Sequence, residues 1–347
     1  MGPDGGSRSD SGSIYEDVDY QVLLYYMFVP LDDPEAIARE QRSWCTELGL
    51  HGRIIVASEG INGTLSGLKA ATDEYRARMS KHPSFRATEF KVDEHDGHAF
   101  KKLSIKVRDE IVTLGVQADA IGNTGTHLSP REFQAKLNDP QALVLDIRND
   151  YEYDMGRFRG AVRPDVQSFK EFPQWLRDNF SNDKKRPILT YCTGGIRCEK
   201  LTAFLKDEGF EDVYQLHGGI VTYAKDPVVQ GEGFDGDCFM FDDRLSVPVG
   251  KPVSQCEECG EPCARYVNCS NVDCNRLYFL CQECEDHRGV ACSESCRDND
   301  RQRERNEKLV PTLRREGKRL RRQRHRAKVR ERAKALASPD TQKDPSA

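Results

Sequence analysis

Two cysteines bracket a glycine pair and an arginine in the stretch RPILTYCTGGIRCEK, residues 186–200. Four residues separate Cys192 from Arg197, and Cys198 follows the arginine directly. Glycines allow consecutive backbone N–H groups to turn towards one point, and a following helix adds the positive end of its dipole. With the charge of Arg197 added, a thiol at the centre of such a cradle loses its proton below the ordinary cysteine value of about 8.5 and becomes a nucleophile. Thr193, Gly194 and Gly195 are the loop residues expected to supply the amides. A structural cysteine at a strand end would instead be buried and inert; the Gly-Gly-Ile-Arg sequel argues against that for Cys192, whereas Cys198 fits a resolving thiol and a packing residue equally well.

The elements that must hold this loop can be read around it. PILTYC (187–192) is a buried strand and residues 195–208 a helix, which places Cys192 at the carboxyl edge of a sheet, where α/β folds carry their sites. Upstream, Ser129-Pro130 with Glu132 three on marks a helix start, followed by the strand ALVLDIR (142–148), a helix around 169–179 and, after the loop helix, a strand in DVYQLHGGI (212–220). Such alternation predicts a parallel sheet covered on both faces. Asp146 and Arg148 read best as a charge pair holding the strand end near the loop, and His217 as positioning the Gly218-Gly219 turn.

Before this unit, strands at 22–29, 53–57, 61–67 and 86–92 with helices at 34–48 and 68–81 give the order β-α-β-β-α-β, which predicts a ferredoxin-like α+β unit. The expected organisation is a disordered Gly/Ser/Asp-rich leader (1–17), the ferredoxin-like domain (18–120), an α/β domain (121–228), a cysteine-rich module (229–298) and a basic tail (299–347).

LDIRNDYEYDMGRFRGAV (145–162), the Cys192 loop and LHGGI (216–220) together resemble a rhodanese domain, with Cys192 on the family's persulfide-carrying position. The usual His-Ile-x-Gly-Ala of the first signature is replaced by Arg157-Phe158-Arg159-Gly160-Ala161. A cysteine phosphatase is the competing fold reading, but its loop keeps five residues between Cys and Arg. The fuller phrase CTGGIRCE resembles something narrower, the rhodanese-domain tRNA uridine hydroxylases, as do RIIVASEGINGTLSG (53–67), CFMFDDRLSV (238–247) and RYVNCSNVDCN (265–275). This resemblance, over about residues 20–285, implies oxygen-dependent formation of 5-hydroxyuridine at the wobble position of tRNA, with molecular oxygen as co-substrate and an anticodon-loop base delivered to Cys192. Chemically, the Cys192 thiolate adding to C6 of uracil would make C5 electron-rich, with Arg197 and the amides stabilising charge. A thiol reductant is implied; no flavin, NAD or haem motif is present. A persulfide sulfurtransferase is the alternative from another enzyme class, and a zinc-containing RNA-binding protein with a vestigial rhodanese domain is a third reading.

Nine of the thirteen cysteines fall between 256 and 296. The pairs Cys256/Cys259, Cys269/Cys274, Cys281/Cys284 and Cys292/Cys296 suffice for two tetrahedral zinc sites, with the first pair expected to join the third and the second the fourth. A single site is the alternative, since the last two pairs resemble the family least closely, and Cys263 and His287 are spare residues either of which could replace an assigned ligand. Metal ligation, the lack of an apolar segment of signal-peptide or membrane-spanning length, and the cysteine usage point to the cytoplasm.

The chain carries net −5, yet residues 301–347 hold 17 Lys/Arg and 6 Asp/Glu, a net of +11 on an otherwise acidic body. Charge runs are most often solvated faces. Beside a tRNA substrate, Arg314, Arg315, Arg319, Arg321, Arg322, Arg324 and Arg326 are expected to contact phosphates without reading sequence.

Overall fold

The computed structural model describes residues 19–166, 168–180, 183–274 and 276–302. The expected leader (1–17) and the tail arginines from Arg314 to Arg326 lie outside the described residues. The chain divides into two compact units, meeting at Ser254 and Gln255.

The first unit opens with β1 (Tyr20–Phe28), α1 (Pro34–Glu47), β2 (His51–Ala57), β3 (Gly60–Leu68), α2 (Lys69–Lys81), β4 (Glu89–His95) and β5 (Leu103–Val107). Sheet order is β4-β1-β3-β2-β5, antiparallel except for β5, which runs parallel to β2. This is the ferredoxin-like arrangement with one strand added. Side chains alternate between faces along each strand. Leu23, Tyr25, Ile54, Val56, Ile61 and Leu65 go to one face and form a core with Cys45, Tyr75 and Met79 of the helices. The other face carries two cross-strand rows, Lys91-Leu24-Thr64-Arg53 and Glu89-Tyr26-Asn62-Ile55.

The α/β part follows as β6 (Thr126–Leu128), α3 (Pro130–Leu137), β7 (Leu143–Asp146), α4 (Asp150–Met155), β8 (Gly156–Phe158), α5 (Phe172–Phe180), β9 (Ile188–Tyr191), α6 (Ile196–Asp207), β10 (Val213–Leu216) and α7 (Gly219–Lys225). The parallel sheet runs β6-β10-β9-β7. Ser129 and Glu132 cap α3 reciprocally: Glu132 accepts from the Ser129 N–H at 2.8 Å, and Ser129 Oγ from the Glu132 N–H at 3.4 Å. The strand expected over 212–220 stops at Leu216, because Gly218 and Gly219 take positive φ and begin α7.

β11 (Phe234–Phe239) and β12 (Ser246–Pro248) complete this unit. β11 pairs with β8 at Phe234↔Phe158 through Gly236↔Gly156 and also with β12, so residues 229–254 belong to the first unit and not to the cysteine module expected to begin at 229. The second unit holds β13 (Tyr266–Asn268), β14 (Leu277–Phe279), α8 (Gln282–Arg288) and α9 (Glu294–Arg297) around a small apolar group of Val267, Tyr278 and Leu280. No helix among the described residues is long and apolar enough to cross a membrane.

Candidate active site and metal clusters

Cys192 follows the last residue of β9, and α6 begins four residues later, so the loop turns at the carboxyl edge of the parallel sheet. The Gly195 N–H donates to Cys192 Sγ at 3.1 Å. The loop backbone is held from below by α7: the Ile220 and Val221 N–H groups donate to the carbonyls of Cys192 and Thr193 at 3.0 and 3.1 Å. Gly219 is required there, since a Cβ would lie 2.6 Å from both carbonyl oxygens. That contact accounts for the LHGGI signature.

Cys192 is fully buried. Burial opposes its ionisation, but the Cys198 thiol, the Arg197 charge and the backbone N–H groups of Arg197 and Gly195 outweigh burial and hold its pKa below the ordinary cysteine value. Cys198 is also buried, and burial together with the neighbouring Cys192 sulfur keeps it a thiol. The pair is therefore a thiolate accepting a hydrogen bond from a protonated thiol. A third thiol, Cys238 of β11, stays neutral, pushed up to about 12 mainly by burial.

Arg197 does not point its guanidinium at open space. Its Nη1 and Nη2 each donate to Glu152 at 2.8 Å, and Thr193 Oγ1 donates to the same carboxylate at 3.2 Å. Burial would raise the Glu152 pKa, and Arg197 overrides it to hold the carboxylate below its usual range. Asp146 and Arg148 form a second buried pair: Arg148 Nε and Nη2 donate to the two carboxylate oxygens at 2.9 and 2.7 Å, and Tyr191 Oη donates to Asp146 at 2.7 Å. They brace the residue before Cys192 and make no hydrogen bond to residues 193–195.

Above the loop lies the polar face of the N-terminal sheet. A Cβ on Gly194 would meet Leu24 at 3.0 Å, and one on Gly195 would meet Tyr26 Oη at 2.8 Å. Tyr26 Oη donates to Glu199 at 2.8 Å; Gln215 and His127 reach the same carboxylate at 2.7 and 3.1 Å. Lys200, the next residue, is buried between Glu59 at 2.9 Å and Glu110 at 2.5 Å. His217 pairs through its ring with Glu89 of β4 at 3.1 Å.

Three family models match consecutive stretches of the chain: a UPF0176 acylphosphatase-like domain over 20–111, a rhodanese-like domain over 129–226 and a rhodanese C-terminal region over 235–297. The tRNA uridine(34) hydroxylase of Bacillus licheniformis is 52% identical over 289 residues, covering 81% of this chain and 89% of that one. Those of Bacillus pumilus and Shouchella clausii are 51% and 50% identical, over 81% and 82% of this chain. The chain belongs to the tRNA uridine(34) hydroxylase family.

The hydroxylase signatures that an isolated rhodanese loop does not need now have contacts. Glu59 of the EGINGT stretch holds Lys200 and accepts the Ile111 N–H at 2.8 Å, while Asn62 Nδ2 donates to the Ile111 carbonyl at 3.0 Å. In CFMFDDRLSV, the Phe241 carbonyl accepts from Arg53 at 3.2 Å, and Arg244 pairs with Asp93 at 2.6 Å. These residues fasten the N-terminal sheet over the cysteine loop. Glu152, Leu24, Tyr26 and Lys91 were not singled out from sequence. Only Glu152 had a usable signal, its Asn149-x-x-Glu152 capping spacing at the start of α4.

In the second unit the eight paired cysteines form two clusters, Cys256-Cys259-Cys281-Cys284 and Cys269-Cys274-Cys292-Cys296, with the sulfurs of each within 4.8 Å of one another. The interleaving is the expected one, and Cys263 and His287 stand outside both. Sulfurs 2.3 Å from a tetrahedral metal lie about 3.8 Å apart. Cys259 to Cys281 is 3.8 Å, Cys274 to Cys292 3.6 Å and Cys292 to Cys296 3.8 Å. Backbone N–H groups of Cys281, Cys284 and Cys292 donate to Cys256, Cys281 and Cys269 sulfurs at 3.4 Å, as suits thiolate ligands. Each cluster fits one four-coordinate ion.

Proposed function

We propose that this chain hydroxylates the wobble uridine of tRNA at C5, with Cys192 as the active-site nucleophile. The observation that carries the reading is about 50% identity, over four fifths of the chain, to relatives named tRNA uridine(34) hydroxylase. The Cys192 geometry supplies a chemistry for it. The thiolate adds to C6 of uracil, the C5–C6 electron pair moves onto C5 and the C4 carbonyl oxygen, and C5 attacks molecular oxygen. One oxygen atom stays on C5. The other leaves as water at the expense of two thiols, which become a disulfide; loss of the C5 proton then expels Cys192 and restores the ring. Cys198 is positioned to tune the Cys192 thiolate and to serve as one of those thiols. Arg197 acts through charge and its backbone N–H, because its side chain is committed to Glu152.

The two cysteine clusters are proposed to hold one zinc ion each, giving a small unit with few apolar residues its folding energy. The tail arginines supply phosphate contacts and salt-dependent affinity. A tRNA substrate and thiolate-bound zinc support a cytoplasmic location.

Nucleoside mass spectrometry on tRNA from cells lacking the activity, complemented with wild type, Cys192→Ser or Cys198→Ser, tests the reading. Wild type restoring 5-hydroxyuridine and Cys192→Ser failing to do so is expected. The rhodanese-like loop, with its amide on the sulfur, also suits persulfide transfer; unchanged nucleosides in every complemented strain together with thiosulfate-dependent sulfur transfer would favour that instead. Truncation after residue 300 is expected to lower tRNA affinity and flatten its salt dependence.

A further inference from the structure

Lys91 is a cation of the N-terminal sheet that stands beside the cysteine loop. It sits on β4 in the row Lys91-Leu24-Thr64-Arg53, on the face turned towards the cysteine loop. Its row neighbour Leu24 touches Gly194, and its ammonium lies 5.2 Å from the centre of the Tyr26 ring, the ring that covers Gly195. Gly195 in turn donates to Cys192 Sγ. Leu24, Tyr26 and Lys91 are all half-buried, whereas Cys192, Gly194 and Gly195 beneath them are buried. Leu24 and Tyr26 thus cover the loop that carries the sulfur, with the Lys91 ammonium beside them. Arg197, the guanidinium that follows the loop, is held by Glu152, and Lys200 by two carboxylates; among the described residues Lys91 has no carboxylate within ion-pairing distance. Burial pulls the Lys91 pKa below the ordinary lysine value, while Glu89 of β4, the Cys192 sulfur of the loop and Glu199 of α6 face it and oppose that shift.

We propose that Lys91 is a substrate-contacting cation of this site, its ammonium meeting the uracil carbonyl oxygen on which charge develops as Cys192 adds to the ring. The inference rests on the C6-addition reading given above. As the S–C6 bond forms, the C5–C6 electron pair is delocalised onto O4. The oxygen needs a donor that is not already committed, in a site screened from water. Lys91 supplies an N–H without giving up its proton, so the step is redox-neutral and the proton count unchanged.

The test uses the full-length protein and an anticodon stem-loop RNA carrying uridine, or 5-fluorouridine, at the target position. Under single turnover at saturating RNA, Lys91→Met is expected to lower both 5-hydroxyuridine formation and the rate of the 5-fluorouridine adduct by about 10²-fold or more, the loss typical of one oxyanion donor. Lys91→Arg should recover most of it. Peptide-resolved alkylation of Cys192 across pH separates action on the substrate from action on the thiol, and also reports that the variant is folded. An unchanged high-pH plateau of alkylation with the RNA reaction still lost supports the proposal. Two results overturn it: RNA reaction by Lys91→Met at the wild-type rate, or a loss that disappears as pH is raised above the Cys192 pKa. If wild type itself gives neither product nor adduct, the C6-addition reading fails and this inference with it.

Discussion

The carboxylate of Glu152 takes both terminal nitrogens of Arg197 at 2.8 Å, in a pair that is buried on both sides. The guanidinium that faces Cys192 in sequence is thus fixed by a residue 45 positions earlier, at the start of α4. Breaking one side of a buried pair costs about 3–5 kcal/mol, because the other charge stays behind.

Glu152→Gln is expected to fall near the lower end of that range, since the amide keeps part of the hydrogen bonding. Sign matters for its pH dependence. The folded-state pKa of Glu152 lies below its unfolded value of about 4.3, so its contribution is fully present above that value and is lost as pH falls through the folded one. Urea midpoints of wild type and Glu152→Gln should differ clearly at pH 7 and converge below about pH 4. Equal midpoints at pH 7 would remove the pair from the list of stabilising contacts.

A second prediction separates the roles of Cys198. Its thiol lowers the pKa of Cys192 by donating to the sulfur. Hydrogen bonds to charged groups contribute about 1.5–3 kcal/mol, which corresponds to roughly one to two pH units. Cys198→Ala should raise the midpoint of Cys192 alkylation by about that much, and Cys198→Ser, which keeps a donor, by less. If both variants alkylate like wild type but neither hydroxylates, Cys198 acts as a reductant and not through the thiolate.

Much of this arrangement could be read from sequence, and the omissions share a cause. The loop, its flanking strand and helix, the six elements of the N-terminal unit and the interleaved cysteine pairs all rest on local patterns: periodicity, capping residues and ligand spacing. β5 was missed because it is five residues long and adds to β2 in parallel, outside the β-α-β-β-α-β order. In sequence the glycines of 230–237 mark the boundary placed after residue 228. Gly236 is there because the junction of α4 and β8 comes so close that a Cβ would lie 2.2 Å from the Met155 carbonyl oxygen and 2.6 Å from Gly156 Cα. Leu24, Tyr26, Glu152 and Lys91 gain meaning only when distant segments meet, and no single stretch of sequence encodes that meeting.

Lys200 gives a third prediction. It is 2% exposed and held between Glu59 and Glu110, both from the segment preceding the α/β sheet. Replacing it with Met leaves two carboxylates facing each other across an apolar side chain, with a cost on the order of 3 kcal/mol. The fastening of the N-terminal sheet over the loop should weaken first. Thermal unfolding of Lys200→Met is expected to split into two transitions, with faster proteolysis between residues 108 and 125. A single transition at the wild-type temperature would mean that the Tyr26, Arg53 and Asp93 contacts suffice without it.

The cysteine unit carries the last prediction. The first cluster takes its pairs from either side of the β13–β14 hairpin, and the second joins the pair in the hairpin's connection to the pair after α8. The apolar contribution is small, Val267, Tyr278 and Leu280 being its main members apart from the cysteines. On the zinc reading proposed above, metal supplies most of the folding energy. Purified protein is expected to release two zinc equivalents to a thiol-modifying reagent read with a colorimetric chelator. Cys256→Ser and Cys269→Ser should each bind about one equivalent and lose helicity in the 255–302 region. Cys263→Ser should keep both, since its sulfur belongs to neither cluster. Release of less than one equivalent from wild type would defeat the zinc assignment; one equivalent, with one variant empty and the other unchanged, would assign the ion to a single cluster, and two equivalents with both variants empty would mean that the two clusters load only together.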